Sequence, residues 1–468
     1  MNGAIHRPGR VQINAWAGDA PNADDLPART PFAQVEQGRR GATWLVSAVP
    51  ADLRDWRHPD VGWGLVLPED ETLPAAARAA ADDAPEPIRR LLASRPGSPV
   101  LRWKPELGQN YLRRYYPDGR AQDLSIAAPR PGTGEGRMPR YLLIFASPRA
   151  IPWAVQYALN MATFVGRLDL EGAALESYVD ALIADWSGHR CQPRAPVVWS
   201  TDHGQDDITW LMARAVAGDV WRKIEADADL SGRVRLKDAA ATRAGLAGAL
   251  ADRAPGLVVT TSHGMTGPLS DAAALKAQLG MPVDANHEPL RLEDLAAWEP
   301  SGAIWYAHAC CSAGSDERSR YEKLLPADGP VGRTLNGVAA AAGATVAPLP
   351  RALLGSASPL RAFVGHVEPT FDWTLRDPAT KQVLTHVLSE ALYDALYRPD
   401  RRTPIGFALR GVFDEAGAFY GAWQDAIEGI DKGQPGMRDW ALYRQLVAMD
   451  RQTLVVIGDP TVSLPPLS

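Results

Sequence analysis

A histidine and a cysteine each follow an apolar run that has the composition of a buried strand. His263 and Gly264 close the run that begins at Gly256, and Cys310 closes the run that begins at Ala303. Parallel strands present their carboxyl ends at one edge of a sheet, where catalytic groups collect. Because an imidazole can activate a thiol or protonate a leaving amine, the two side chains predict a Cys-His catalytic dyad.

The spacing of the two candidates fits neighbouring strands of one sheet. Positions 263 and 310 are 47 residues apart, which leaves room for a crossover helix near residues 292–298 and a long surface loop. Glycine at position 264 permits a substrate carbonyl to come close to the backbone. The backbone N-H groups of Gly264 and Cys310 are therefore the candidate donors of an oxyanion hole.

A second His-Gly pair follows another strand-like run, which ends at Ser200. The segment carries Asp202, His203, Asp206 and Asp207. These side chains could line a substrate cleft, orient His263 or bind a cation. A polar turn that caps the following helix is an equally good interpretation.

Two further residues are candidates for a substrate pocket. His308 lies two residues before Cys310 and could form part of the cleft floor, or it could be a hydrogen-bonded histidine of the core. Asp316 follows the cysteine loop and could favour a basic substrate residue, although solvated loop charges are common. Asp202, His203, His308 and Asp316 are the predicted pocket residues.

The sequence predicts neither a metal site nor a cofactor. Adjacent cysteines at a strand end suit tetrahedral zinc poorly, and the chain has no Cys-x-x-Cys pair. The glycine-rich segment at 132–136 lacks the spacing of a dinucleotide fingerprint, and neither a phosphate-binding loop of the Walker type nor a Gly-x-Ser-x-Gly elbow occurs.

Composition narrows the function classes further. The formal net charge is -6 and no long run of one sign occurs, so nucleic acid is not an expected partner. No stretch approaches the roughly 20 apolar residues of a membrane span, and the amino-terminal residues lack the apolar block of a secretory signal. With three cysteines, two of them adjacent, free thiols in a reducing, cytoplasmic compartment are expected.

The sequence pattern around these residues predicts an α/β fold that would position them. Short continuous apolar runs alternate with helical patterns, which is typical of a mostly parallel sheet sandwiched by helices. A helix is predicted over residues 209–224, with Asp207 as its cap. The predicted strands are 141–146, 195–200, 256–262, 303–309 and 344–349.

A Pro/Gly-rich segment divides the chain. Residues 129–139 are the predicted linker, and residues 140–468 form the predicted catalytic domain. Residues 1–128 are expected to form an additional N-terminal domain, whose role the sequence does not reveal.

The paired blocks "TTSHG" and "HACCSAG" resemble those of the caspase-like cysteine peptidases of clan CD, which include caspases, legumains, separases, gingipains and CHAT proteases. Three further segments extend the resemblance to bacterial gingipain-related members over most of residues 140–468. They are "YLLIFASPRAIPWAVQYALN", "VGRLDL" and "LVVIGDPTVSL".

The resemblance implies a caspase-like fold and a regulated bacterial endopeptidase. Such an enzyme cleaves protein or peptide substrates through a thioester, and an activating partner or ligand could act through the N-terminal domain. Two alternatives stay open: a catalytically silent scaffold or binding protein of the same fold, and an acyltransferase that uses the same dyad.

The chain departs from the pattern of the clan at two points. His308 stands where caspases carry Gln, so a preference for Asp at the cleavage position does not carry over. Many members have Gly three residues after the nucleophile, whereas Gly314 lies three after Cys311 and four after Cys310. Aligned from the strand, "WYAHAC" favours Cys310 as the nucleophile, with Cys311 as the alternative.

Overall fold

The computed structural model of the chain describes residues 10–18, 21–25, 51–398 and 402–467. The predicted N-terminal domain and the amino-terminal segment searched for a secretory signal lie partly outside the described residues. The strands are β1 (Arg10–Trp16), β2 (Pro21–Asp25), β3 (Trp63–Pro68), β4 (Val100–Trp103), β5 (Tyr111–Tyr115), β6 (Ala121–Ser125), β7 (Tyr141–Phe145), β8 (Phe164–Leu168), β9 (Val197–Ser200), β10 (Val234–Leu236), β11 (Leu257–Thr261), β12 (Gly264–Met265), β13 (Ile304–His308), β14 (Gly314–Ser315), β15 (Thr345–Val346), β16 (Ala362–His366) and β17 (Leu454–Gly458).

Helices occupy most of the connections between these strands. A wider helical turn, Ala213–Ala217, joins the helix Ile208–Met212 to the helix Gly218–Ala226, so helical backbone covers the whole of the predicted 209–224 segment. The α-helices are α1 (Ala75–Ala80), α2 (Glu86–Ala93), α3 (Trp153–Asn160), α4 (Gly172–Ile183), α5 (Ile208–Met212), α6 (Gly218–Ala226), α7 (Arg243–Arg253), α8 (Ala272–Gln278), α9 (Pro330–Ala342), α10 (Pro348–Leu354), α11 (Asp372–Leu375), α12 (His386–Ser389), α13 (Ile405–Ala408), α14 (Arg410–Asp431) and α15 (Met437–Gln452).

One sheet of twelve strands, in the order β10-β9-β11-β13-β16-β17-β8-β7-β3-β4-β5-β6, organises the fold. The five strands from β10 to β16 are mutually parallel. β17 pairs antiparallel with β16, and β8, β7, β3 and β4 follow the direction of β17. The sheet therefore contains two parallel blocks of five strands that point in opposite directions, and β5 and β6 extend it as an antiparallel edge.

Both faces of this sheet are buried. Alternate residues of β7 join two different apolar clusters, with Tyr141 and Leu143 in one and Leu142 and Ile144 in the other. Because successive side chains of a strand point to opposite faces, apolar layers cover the sheet on both sides. The prediction of an α/β fold with a mostly parallel sheet flanked by helices is confirmed.

The sheet continues across the predicted linker. β3 lies upstream of residues 129–139 and pairs in parallel with β7, which lies downstream of them. An additional N-terminal domain is therefore not confirmed, and the division into 1–128, 129–139 and 140–468 stays a prediction.

The predicted strand at residues 344–349 is wrong. Only Thr345 and Val346 are extended, and they pair with the two-residue strand β14 outside the main sheet. Pro348 then occupies the first turn of α10, where its fixed φ and missing N-H suit a helix start. The position beside β13 is taken by β16 instead.

The crossover between β11 and β13 also differs from the predicted one. The segment 292–298 contains only a single 3-10 turn, Leu292–Leu295, and the helix of this connection is α8. Among the described residues, no helix combines the length and hydropathy that a membrane crossing requires.

A buried ion pair joins the two sides of the predicted linker. The carboxylate of Asp459, which follows β17, accepts hydrogen bonds from Trp63 Nε1 at 3.0 Å and Arg95 at 3.1 Å. We expect Asp459→Ala to lower the free energy of unfolding by about 3–5 kcal/mol, because it leaves the buried Arg95 guanidinium without its counter-charge.

Urea unfolding would measure this loss. Asp180→Ala is the matched control, because it removes the partner of Arg90 in an ion pair that is largely solvent-exposed. Equal stability of the two variants would contradict the importance of the Asp459 pair.

Candidate active site

His263 and Cys310 lie at equivalent positions beyond two paired strands. β11 and β13 are parallel neighbours, and their last register pair is Thr261 with His308. Each candidate side chain lies two residues beyond its member of that pair. The predicted histidine and cysteine are thus delivered to the same edge of the sheet by adjacent strands.

The backbones that follow these strands are in contact. A Cβ atom added at Gly264 would lie 2.0 Å from the carbonyl oxygen of Cys310 and 3.0 Å from its backbone nitrogen. No side chain fits in this space. Glycine at position 264 therefore allows the histidine loop to pack directly on the cysteine loop.

A carboxylate holds the imidazole of His263. Nε2 of His263 lies 2.9 Å from Asp207 Oδ2, and both residues are buried. Burial alone would raise the pKa of the Asp207 carboxyl, but hydrogen bonds from His263 and Thr209 and the charge of His263 lower it to about 2. Because Asp207 is ionised at neutral pH, we assign the proton of the neutral imidazole to Nε2.

The other ring nitrogen of His263 is left as a potential base. Nδ1 is buried and has no hydrogen-bond partner among the described residues. With the proton on Nε2, this atom carries an unused lone pair. Asp207 therefore orients a histidine that can accept a proton.

The sulfur of Cys310 contacts another sulfur. Its Sγ atom lies 3.6 Å from Sγ of Cys311, and no hydrogen bond to His263 is present within the described ranges. Burial and the neighbouring Cys311 raise the pKa of the Cys310 thiol well above its usual range. In this conformation the candidate nucleophile is a neutral thiol.

The rings of Trp16 and His203 lie next to His263, and a third ring, that of His287, packs against those two. The ring centroid of Trp16 lies 5.5 Å from that of His263, and the ring of His203 stacks on it at 5.8 Å. His287 stacks on His203 at 4.0 Å. Burial, His287 and His263 lower the pKa of His203 to about 4, so this predicted pocket residue lies beside the candidate base as a neutral ring.

His308 occupies the protein interior. Its Nδ1 atom lies 2.8 Å from the hydroxyl of Tyr306, and its ring packs edge-on against His366 at 5.0 Å. Burial and Arg451 lower the pKa of His308 to about 3. Its Nε2 atom has no hydrogen-bond partner in the described part of the chain, and His308 lines a small pocket together with His366, Asp450 and Arg451.

The two predicted acidic pocket residues lie in different surroundings. Asp202 pairs with Arg214 at 2.8 Å and also accepts a hydrogen bond from the Gly204 N-H group. The pKa of Asp316 is raised, because the effect of burial outweighs the opposing effect of the nearby Arg320 charge. A role for Asp202 or Asp316 in a substrate pocket stays a prediction.

Sequence reasoning missed part of the site. It named Asp207 as a helix cap and as one of four residues that could orient His263, and the structure shows both contacts. It gave no role to Trp16 or His287. The alternating apolar pattern of residues 11–16, which ends on Trp16, was the available signal for a strand near the site.

No family model and no curated protein matches the chain. Among solved structures, the chain is similar to part of the Saccharomyces cerevisiae separase–securin complex, with a TM-score of 0.35 and 11% sequence identity. The match covers 73% of this chain and 16% of the yeast chain, so this protein spans about a sixth of that chain's length. At this distance the likeness assigns no activity, and the caspase-like character of the fold stays a prediction.

We expect Asp207→Asn to lower the expected peptide-hydrolysis rate about 10- to 100-fold, because the neutral asparagine amide does not stabilise an imidazolium at His263 as the carboxylate does. It should also lower the free energy of unfolding at neutral pH by an amount on the order of 2 kcal/mol. The folded pKa of Asp207 lies below its unfolded value. This stabilisation is therefore complete above about pH 4 and is lost as the pH falls toward 2.

Asp206→Asn is the matched control, since its side chain is exposed beside the site. Denaturant melts at several pH values and steady-state rates would provide both measurements. An Asp207→Asn variant with unchanged rate and unchanged acid sensitivity would rule out the positioning role.

Proposed function

We propose that the chain is a cysteine endopeptidase that cleaves protein or peptide substrates with Cys310 and His263. One observation carries the proposal. The imidazole of His263 follows β11, is held by Asp207 through Nε2, and has no partner for Nδ1 among the described residues. Cys310 follows β13, the parallel neighbour of β11. A nucleophile, a base and an orienting carboxylate are the groups that acyl transfer requires.

The reaction follows from these groups. Nδ1 of His263 accepts the thiol proton as the Cys310 sulfur attacks the substrate carbonyl carbon. The same proton then passes to the leaving amine, the peptide C-N bond breaks, and a thioester remains on Cys310. His263 next deprotonates a water molecule that hydrolyses the thioester and restores the thiol.

Backbone N-H groups would stabilise the charge that develops on the carbonyl oxygen. Gly264 and Cys310 are the proposed donors, and the close packing of their backbones supports this assignment. The neutral, buried thiol supports a regulated enzyme, because the sulfur must become accessible before it can react. A cytoplasmic location and an activating partner remain part of the proposal.

Thiol reactivity tests the proposal. Because Cys310 is buried, the labelling is done with Ile13→Asp, which places a charge in the apolar cluster that contains Cys310. In this variant, limiting iodoacetamide or a peptidyl acyloxymethyl ketone, followed by peptide mapping, should modify Cys310 faster than Cys191 or Cys311, and the additional change His263→Ala should remove the difference. A peptide library with mass-spectrometric mapping of the cuts would then report cleavage, with Cys310→Ala as the control. Equal, slow labelling of all three cysteines together with no cuts would reject the peptidase.

A catalytically silent binding protein is the second candidate. The observation that favours it is the contact of the Cys310 sulfur with Cys311 rather than with His263, in a fully buried position. In that case His263→Ala would change stability without changing the labelling rate of Cys310. The two functions therefore predict different results in the same experiment.

A further inference from the structure

The strand β1 crosses the sheet edge at the candidate active site. Ala15 and Trp16 pair in parallel with Gly264 and Met265, which follow His263. Nearer the start of β1, Ile13 forms an antiparallel bridge with Phe371, which follows β16. Because β13 lies between β11 and β16 in the sheet, β1 passes over the loop that carries Cys310.

The side chains of β1 fill this region. Val11, Ile13 and Ala15 are fully buried and belong to the same apolar cluster as Cys310 and Cys311. A strand that buries three alternating residues against the candidate nucleophile excludes solvent and substrate from it. The other edge of β1 pairs with β2, so β1 is held on both sides.

The backbone of β1 reaches the proposed oxyanion donor. Thr266 donates its N-H group to the carbonyl oxygen of Trp16 at 3.0 Å. Hydrogen bonds of a parallel ladder repeat every two residues along each strand. The register of Ala15 opposite Gly264 therefore directs the Gly264 N-H group toward the carbonyl of Asn14.

The side chain of Asn14 is buried beside the chain segment that follows β16. It is fully buried, and its Oδ1 atom accepts a hydrogen bond from the Thr370 N-H group at 3.1 Å. Its Nδ2 atom is buried without a partner among the described residues. This buried position thus holds a small, uncharged amide side chain.

We propose that β1 occupies the peptide-binding groove of the enzyme as an intramolecular inhibitor, with Asn14 where a substrate presents the carbonyl to be attacked. The ligand of the groove is an extended peptide that replaces β1 and presents a small uncharged polar residue at that position. The inhibitory role in this inference rests on the proposed peptidase function. The groove itself is defined by the backbone pairing and the burial of β1.

Full-length variants that release β1 test the proposal. Ile13→Asp places a charge in the apolar cluster, and Ile183→Asp introduces the same change at an exposed position of α4. A fluorescent peptide with the sequence of residues 10–16 should bind Ile13→Asp at least ten-fold more tightly than the wild type or Ile183→Asp. Amide hydrogen exchange at residues 10–16 should be faster in Ile13→Asp alone.

A milder variant covers the case in which Ile13→Asp does not fold. Asn14→Ala keeps the backbone of β1 and removes only the contact with Thr370, so we expect peptide affinity to rise about three-fold. Equal peptide affinity for all folded variants would overturn the inference. Amide hydrogen exchange at residues 10–16 that is as slow in Ile13→Asp and Asn14→Ala as in the wild type would also overturn it.

Binding and catalysis separate this inference from the proposed function. Peptide binding should persist when Ile13→Asp is combined with Cys310→Ala, because the groove does not require the sulfur. Tight binding without hydrolysis in every variant that keeps Cys310 would reject the peptidase and retain the groove. Equal hydrolysis rates in the wild type and Ile13→Asp would retain the peptidase and reject the inhibitor.

Discussion

Cys310→Ala is expected to lower peptide hydrolysis by at least about 1,000-fold, to the background rate of the assay. The variant loses the sulfur atom that we propose as the nucleophile. Its fold should persist, since the change removes one sulfur from an apolar cluster. Initial rates on a peptide found in the library screen, with circular dichroism as the folding check, would measure the effect.

Cys311→Ala is the matched control for this experiment. It removes a neighbouring buried sulfur of the same size, and we expect at least about a tenth of the activity to remain. Cys311 has a φ of 53°, a left-handed backbone conformation that costs energy for any side chain other than glycine, so alanine neither adds to this cost nor relieves it. Full activity of Cys310→Ala with an inactive Cys311→Ala would transfer the nucleophile to Cys311.

Gly264→Ala is expected to abolish activity and to destabilise the protein by several kcal/mol. The added methyl group would lie about 2.0 Å from the carbonyl oxygen of Cys310, where backbone rather than a flexible side chain must move. The shift would displace both proposed oxyanion donors. Thermal unfolding and peptide hydrolysis would show the two losses together.

Gly248→Ala is the matched control, because the same substitution is expected to stabilise the protein at this position. Gly248 lies within α7, and an added Cβ meets no atom within 4 Å. Alanine should stabilise this helix by about 0.5–1 kcal/mol and leave the rate unchanged. If Gly264→Ala behaved like Gly248→Ala, the contact between the two loops would be unimportant.

The buried strands were predictable because their local composition agrees with their environment. The runs that became β7, β9, β11 and β13 are continuously apolar, as expected for strands covered on both faces. The run at 344–349 is equally apolar, but Pro348 within it and Pro350 just after it favour a helix start over a central strand. Hydrophobicity alone therefore gave the wrong answer where backbone chemistry decided the structure.

Parts of the site that depend on distant pairing could not be predicted in detail. His263 and Cys310 were found because each follows its own strand. The contact of Asp207 with His263 joins residues 56 positions apart, and the sequence pattern offered it only as one of several alternatives. The position of β1 depends on pairing between residues about 250 and 360 positions apart, which local periodicity does not encode.

The reversal of direction between β16 and β17 separates two surfaces of the molecule. Strands β3, β7 and β8 end at the margin of the sheet opposite to Cys310, where Leu67, Phe145 and Leu168 line a cleft of about 630 Å³. Loops at that margin can change in length or carry a surface anchor while the chemistry on the far side keeps its geometry. Immobilising the protein through this margin would leave the opposite margin, which carries His263 and Cys310, free of the support.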